Sequence, residues 1–222
     1  MGVLDIWGKL VPALVTGNCY ALGHTDVHSS YVIVEGMKTK GEAPSAFKEI
    51  LTQLPYKPRV QRTDSAQEMV SKEMEELMQR LLIKHEVAIP YTPAQVGAME
   101  AHWSMIGSGV REKLVWSGLP LMFWEQAMYA TVYEWNRLPT SKRNITRYEA
   151  LWGEKPSVAM VRRWGCICYV HLHHEGYRRR EDKKLSARAV KSIFVGTRKT
   201  ARDGCVTSQR KLQLMVARQA SP

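Results

Sequence analysis

The sequence predicts an α/β chain: a mixed sheet with flanking helices, followed by a small basic β-rich C-terminal region. Three observations predict it. Three β-type runs open the chain, residues 2–7, 18–25 and 30–37, close enough together for an antiparallel meander. Beyond residue 42 helical apolar stripes alternate with short strands, which places helices against a sheet. Finally, residues 137–222 hold 20 Lys/Arg against 6 Asp/Glu, whereas residues 1–136 hold 12 against 15.

Each element has its own signal. Gly17-Asn18 marks a turn before Cys19-Tyr20-Ala21-Leu22, and Tyr31-Val32-Ile33-Val34 is rich in β-formers. Ala43, Phe47, Ile50, Leu51 and Leu54 make one helical stripe over 42–54. A strand at 58–63 ends at Asp64. Over 67–84, Val70, Met74, Leu77, Met78, Leu81 and Leu82 line one helix face, opposite Lys72, Glu73, Glu76 and Arg80. The methionines read as core filling rather than as a binding surface. A short strand, Glu86–Ile89, stops at Pro90. Thr92-Pro93-Ala94-Gln95 reads as a capping box, although Gly97 weakens an early helix start. Met99, Trp103, Ile106 and Val110 form the next buried stripe, and a helix at 120–137 packs Leu121, Trp124, Met128, Val132 and Trp135. After Pro139 comes a polar basic linker, then a helical turn at Tyr148–Trp152. Strands Ile167–His171 and Ser192–Gly196 flank a basic loop, and the stretch from Thr197 is too polar to assign. The expected division is a core at 1–137, a connection at 138–165 and a basic β-rich region at 166–222.

Composition narrows the function classes. With 45% apolar and 24% charged residues the chain reads as globular. No apolar run approaches the ~20 residues of a membrane span, and no basic-then-apolar leader opens the chain, so no membrane partner is expected. Four cysteines are too sparse for a disulfide framework, which implies a reducing, intracellular compartment. The net charge of +11, concentrated in the second part, points to a polyanion partner. No zinc site is predicted. Cys166 and Cys168 are too close for a structural pair, His171, His173 and His174 bring no second cysteine pair, and His24 and His28 lack cysteines at finger spacing. Neither a phosphate-binding glycine loop nor a Gly-x-Ser-x-Gly turn is present.

Acids at strand ends and on a following helix can converge although far apart in sequence. Asp5 lies in Leu4-Asp5-Ile6-Trp7-Gly8, Asp64 ends a strand, and Glu100 lies near a helix start. Three such carboxylates suit hard divalent cations, and two ions together can act on a phosphodiester. Spacing alone leaves open that all three are ordinary surface acids. The surrounding text carries more: LDIWG, RTDSAQEMVSKEMEEL, HEVAIPYTPAQVGAMEA, GLPLMFWEQAMYATVYEWNRLPTS, YEALWGEKPSVAMVRRWGCICYVH and SIFVGT. In this order these segments resemble the integrase of copia-type long-terminal-repeat retrotransposons, over nearly the whole chain.

The resemblance implies a ribonuclease-H-like fold and a metal-dependent polynucleotidyl transferase for DNA integration. It makes Asp5, Asp64 and Glu100 the catalytic and metal-holding residues, with Mg²⁺ or Mn²⁺ as cofactor. It also favours a loop as far as about Gly97, with Glu100 in the first helical turn beyond, and gives no chemistry to His85. Its partner would be DNA, both element ends and target duplex, held by Arg143, Arg178, Arg179, Arg180, Lys183, Lys184, Arg188 and Lys191. A homo-oligomer and a nuclear location in a eukaryotic host accompany that expectation. The chain departs from the family where Asn-Gly-Gly after the second acid is Ser65-Ala66-Gln67 and where Arg-x-Asn-Arg after Glu100 is Ala101-His102-Trp103-Ser104. Two alternatives therefore stand beside a working transferase: a non-catalytic nucleic-acid-binding remnant of the same fold, and a structural domain whose basic charge is incidental.

Overall fold

The computed structural model describes residues 1–88, 93–139, 144–159, 161–171 and 189–196, without the side chains of 93–98, 170, 171 and 190. Five strands form one sheet: β1 (Gly2–Trp7), β2 (Tyr20–Asp26), β3 (Val32–Met37), β4 (Val60–Thr63) and β5 (Lys84–Val87). Their order is β3-β2-β1-β4-β5. The first three pair antiparallel, as the opening meander predicts, while β4 joins β1, and β5 joins β4, in parallel. Four longer helices are α1 (Ala43–Thr52), α2 (Lys72–Arg80), α3 (Pro93–Ser117) and α4 (Trp124–Arg137), followed by the short α5 (Arg147–Trp152).

Alternation along the strands sorts side chains between two cores. Leu4, Leu22, Ile33 and Met37 meet Phe47 and Ile50 of α1 and Met74, Leu77 and Met78 of α2. Val3, Ala21, Val32 and Val34 face Met99, Trp103, Ile106 and Val110 of α3 and Trp124, Met128 and Val132 of α4. Met37, Met69, Met74, Met78, Met99 and Met128 are fully buried, so core filling is indeed what they do. The free edge of β3 is covered by α4. Asn136 exchanges two hydrogen bonds with the Val32 backbone (3.0 and 2.7 Å), and the Gly36 N–H donates to the Tyr129 hydroxyl (3.1 Å).

Some boundaries differ from the expectation. Ser71 caps α2, its hydroxyl accepting from the Met74 N–H, so the helix starts later than residue 67. It ends early because Leu82 takes a left-handed φ of 53° and lies 83% exposed, and β5 therefore begins at Lys84. The helix carrying Glu100 begins at Pro93 rather than beyond Gly97, since proline at a first helical position offsets the cost of the later glycine. Leu121 lies in a 3₁₀ turn before α4 and is 66% exposed, not core.

Two further strands, β6 (Ile167–His171) and β7 (Ala189–Ile193), form a separate antiparallel ribbon. Trp164 and Val195 at its base are buried in the α3–α4 core. The second strand starts three residues earlier than expected, which puts Lys191 on the ribbon opposite Tyr169 rather than in the loop.

Candidate active site

The first acid is placed by strand alternation. Val3, Asp5 and Trp7 share the face of β1 that looks toward α3. Asp5 pairs with Gly23 of β2, where a side chain would collide with Met99 and Trp103. That glycine lets α3 lie tight on the β1–β2 pair, with Met99 and Trp103 seated over it. Trp103 stacks on Trp7 with ring centroids 5.4 Å apart and planes at 16°, and Trp124 meets Trp7 edge-on at 6.1 Å. The parallel register sets Gly2 beside Gln61 and Val3 beside Arg62, so two residues further on Asp5 comes level with Asp64, just past the end of β4.

Asp64 is half-buried, and its Oδ1 accepts from the Ala66 N–H at 3.2 Å, turning the chain out of the strand. The preceding Thr63 hydroxyl donates to the Asp64 carbonyl (2.9 Å) and lies 2.9 Å from His85 Nε2. With the hydroxyl proton directed at Asp64, the His85 Nε2–H becomes the donor to Thr63. Burial holds His85 below the usual histidine range, only partly countered by Glu75. Its place is thus behind Asp64, in support of the strand end.

Electrostatics ties the three acids together. The Asp5 carboxyl is raised from 3.8 to about 6, first by burial and then by the charges of Asp64 and Glu100, against a backbone hydrogen bond from Ile6 (2.8 Å). Asp64, just past β4, and Glu100, on α3, are thus near enough for their charges to be felt at Asp5. Glu100 itself is exposed. Among the described residues no three side chains approach closely enough to hold a metal ion. The donor set, three carboxylates and no sulfur or imidazole, fits a hard cation in kind; the carboxylates stand apart in spacing.

The segment after Glu100 supplies no cation. Ala101 and Ser104 are exposed, and His102 is drawn inward, its Nδ1 2.9 Å from the Thr25 hydroxyl and its ring edge-on to Trp135. Burial lowers His102 to about 4, with Arg147 adding repulsion, so it is neutral at pH 7.

Of the expected DNA contacts, only Lys191 falls within the described residues. It is exposed beside the 71% exposed Tyr169. Arg143, Arg178, Arg179, Arg180, Lys183, Lys184 and Arg188 lie outside them. Two other basic residues of the second part serve packing. Arg137 lies over the Tyr133 ring at 3.4 Å, and Arg147 over Trp135 at 3.7 Å while donating to the Trp135 and Leu138 carbonyls. Cys166 and Cys168 are both free thiols. No helix among the described residues is long and apolar enough to cross a membrane.

No family model matches. The chain is 27% identical over 197 residues to the retrovirus-related Pol polyprotein of transposon TNT 1-94 from Nicotiana tabacum, covering 86% of this chain and 14% of that protein. It is 24% identical over 185 residues to the Pol polyprotein of transposon RE2 from Arabidopsis thaliana, covering 81% of this chain and 12% of that one. The chain thus spans a small part of the curated relatives it matches. Among solved structures it superposes on the HTLV-2 integrase catalytic core domain in complex with magnesium (trimeric form), with TM-score 0.55, 21% identity and 68% of this chain against 94% of that one. The simian T-cell lymphotropic virus intasome in complex with PP2A regulatory subunit B56 gamma gives TM-score 0.58 at 19% identity, over 86% of this chain and 66% of that one.

The chain is a relative of transposon Pol polyproteins, with the fold of a retroviral integrase core. The ribonuclease-H-like architecture is the one the resemblance implies. Sequence reading missed the aromatic wall beside Asp5. Trp103 was legible only as one member of a helical stripe, and its second role depends on Gly23, whose partner strand is not written in the local pattern.

Proposed function

We propose that this chain is the catalytic core and C-terminal part of a copia-type integrase, a metal-dependent polynucleotidyl transferase. The observation that carries the reading is the parallel register that sets Asp5 level with Asp64 at the β1–β4 strand ends of an integrase-core sheet, with the Asp5 carboxyl pushed up by burial and by the charges of Asp64 and of Glu100 on α3. Asp5, Asp64 and Glu100 would hold Mg²⁺ or Mn²⁺. A bound divalent pair supplies Lewis acidity, activating an attacking oxygen and stabilising a leaving one. Asp64 is fixed by Ala66 and backed by Thr63 and His85, while Asp5 is fixed by Ile6 and walled by Trp103. Arg143, Arg178, Arg179, Arg180, Lys183, Lys184, Arg188 and Lys191 would bind phosphates of element and target DNA, with salt-sensitive and largely sequence-independent affinity. A homo-oligomer acting in the nucleus completes the reading.

A second reading is a remnant that binds nucleic acid without turnover. It is favoured by the spacing of the three carboxylates and by Ala101, His102 and Ser104, which leave no cation beside Glu100. The test is strand transfer by the full chain with Mg²⁺ or Mn²⁺, alongside Mn²⁺ binding by calorimetry. Transfer should be weak or undetectable, with Mn²⁺ binding retained and then lost in Asp64→Asn. Salt-dependent DNA binding with no Mn²⁺ binding decides for the remnant, and DNA binding indifferent to salt removes the electrostatic part of both readings.

A further inference from the structure

We propose that the aromatic cleft between β1, α3 and the start of α4 receives one unpaired nucleobase of the bound nucleic acid. The inference rests on the nucleic-acid part of the proposed function and adds to it a site outside the three acids.

The cleft has a volume of about 420 Å³, ample for a planar base. Trp7, Trp103 and Trp124 line it, and Leu121 and Val11, 66% and 46% exposed, stand at its mouth. Its walls are tied together before any ligand arrives. The Trp124 indole N–H donates to the Val11 carbonyl (2.7 Å), and the Leu14 N–H donates to the Met122 carbonyl (2.9 Å). Trp7 is stacked on Trp103 and met edge-on by Trp124, yet it stays half-buried, which leaves part of its ring to the cleft. Gly107 keeps that space open, since a side chain there would begin 3.5 Å from the Trp7 ring.

Two features select a nucleobase over an apolar side chain of a protein partner. The first is charge. Arg111 belongs to the lining, and Lys9 adjoins Leu10 of the same wall. Both are exposed, and neither has an acidic partner among the described residues; the Arg111 guanidinium donates only to the Ser108 hydroxyl (3.2 Å). Residues 1–136 hold more acids than bases, so two unpaired cations at one cleft are a local excess that suits phosphates. The second is position. Trp7 stands two residues from Asp5 on the same face of β1, about 7 Å along the strand. Ser104 lies one turn of α3 beyond Glu100. A base in the cleft therefore neighbours the phosphodiester that the acids would address. Both faces of an unpaired base are free to stack on aromatic and aliphatic walls. Besides the indoles, only Ser104 and Arg111 are polar among the described lining residues, so the cleft would accept a base without reading its identity.

The test uses the full chain in EDTA, so that neither metal binding nor turnover enters. End-labelled DNA duplexes are compared by fluorescence anisotropy: one blunt, one with a single overhanging 2-aminopurine nucleotide, and one with the same overhang abasic. The 2-aminopurine duplex should bind about tenfold more tightly than the other two, with its base fluorescence quenched on binding. Gly107→Leu fills the cleft while removing a glycine from a helix interior, and Leu121→Glu places a repelling charge at an exposed position. Each should abolish the tenfold preference and the quenching. Equal affinity for the three duplexes without quenching overturns the proposal and leaves the nucleic-acid reading standing, whereas no binding to any duplex overturns both. A preference that survives in both folded variants also overturns it, and self-association lost in those same variants would then assign the cleft to a second copy of the chain.

Discussion

Asp5 and Asp26 lie on one pair of strands and are treated in opposite ways. Asp26, at the end of β2, is only 2% exposed, and burial alone would push its carboxyl up. Hydrogen bonds from the Ser29 hydroxyl (2.6 Å), the Tyr56 hydroxyl (2.5 Å) and the Ser29 N–H (2.7 Å) outweigh burial and bring it below the usual range. Asp5 is half-buried, has one firm donor, and feels the charge of two more acids. An acid supplied with donors serves the fold. An acid left short of them, among like charges, costs the fold something, and such strain concentrates where a ligand is to be bound.

The comparison breaks if both acids respond alike to removal. The largest effect belongs to Asp26→Ala, expected to destabilise by about 3–4 kcal/mol because three bonds to an ionised group are lost together. Its folded pKa is depressed, so the contribution is complete above the ordinary aspartate range and disappears as pH falls through the folded value. Urea unfolding at neutral and acid pH checks both the size and the sign.

Asp5→Asn should do the reverse. Its carboxyl is raised from 3.8 to about 6, so the fold prefers the protonated form. Below the unfolded value both states are protonated and nothing is lost; as pH rises through about 6 the ionised, repelled carboxylate lowers stability. Asp5→Asn should therefore stabilise by about 2 kcal/mol at pH 7, the two-unit shift being tempered by partial solvent contact, and by nothing below the unfolded range. A destabilised Asp5→Asn would mean that Asp5 is a structural acid like Asp26.

A cation sharpens the same contrast. Mn²⁺ at ten times its dissociation constant should stabilise the parent by about 1.4 kcal/mol through binding to the folded state alone. The same addition should leave Asp5→Asn nearly unmoved and Asp26→Asn as responsive as the parent, with melting temperature as the measure. Equal responses from all three proteins would separate the acids' strain from metal binding.

These differences explain what could be read in advance. The sheet and the two buried faces follow from local period: Leu4, Leu22 and Ile33 against Val3, Ala21 and Val34. The ends of elements follow from contacts that period does not record. Leu82 continues the apolar stripe of α2 but turns left-handed into β5, and Leu121 sits in a turn before α4. Asp5, Asp64 and Glu100 were singled out through the residues around them, not through their spacing. Asp26 was not legible at all, because Tyr56 reaches it from thirty residues away. The same holds for Glu125, which is buried and accepts from Thr16 and Asn18 at 2.7 Å across more than a hundred residues.

The smallest effect tests the donor account most directly. Tyr56→Phe removes one donor from Asp26 and leaves its carboxylate and both Ser29 bonds in place. The ring is 39% exposed, so water can replace the lost hydroxyl, and the cost should be about 1 kcal/mol rather than the two or more of a sealed site. Asp26 would then titrate higher in the folded state, and acid unfolding should begin at a higher pH. Below the ordinary aspartate range near 4 the parent's carboxyl is itself becoming protonated, and the difference between parent and variant should shrink. A Tyr56→Phe deficit that stayed constant into strong acid would assign the loss to the hydroxyl's other surroundings rather than to its bond with the ionised carboxylate, since the ring is kept. Asp26 would then owe its depressed pKa to Ser29 alone, and the contrast with Asp5 would rest on two donors instead of three.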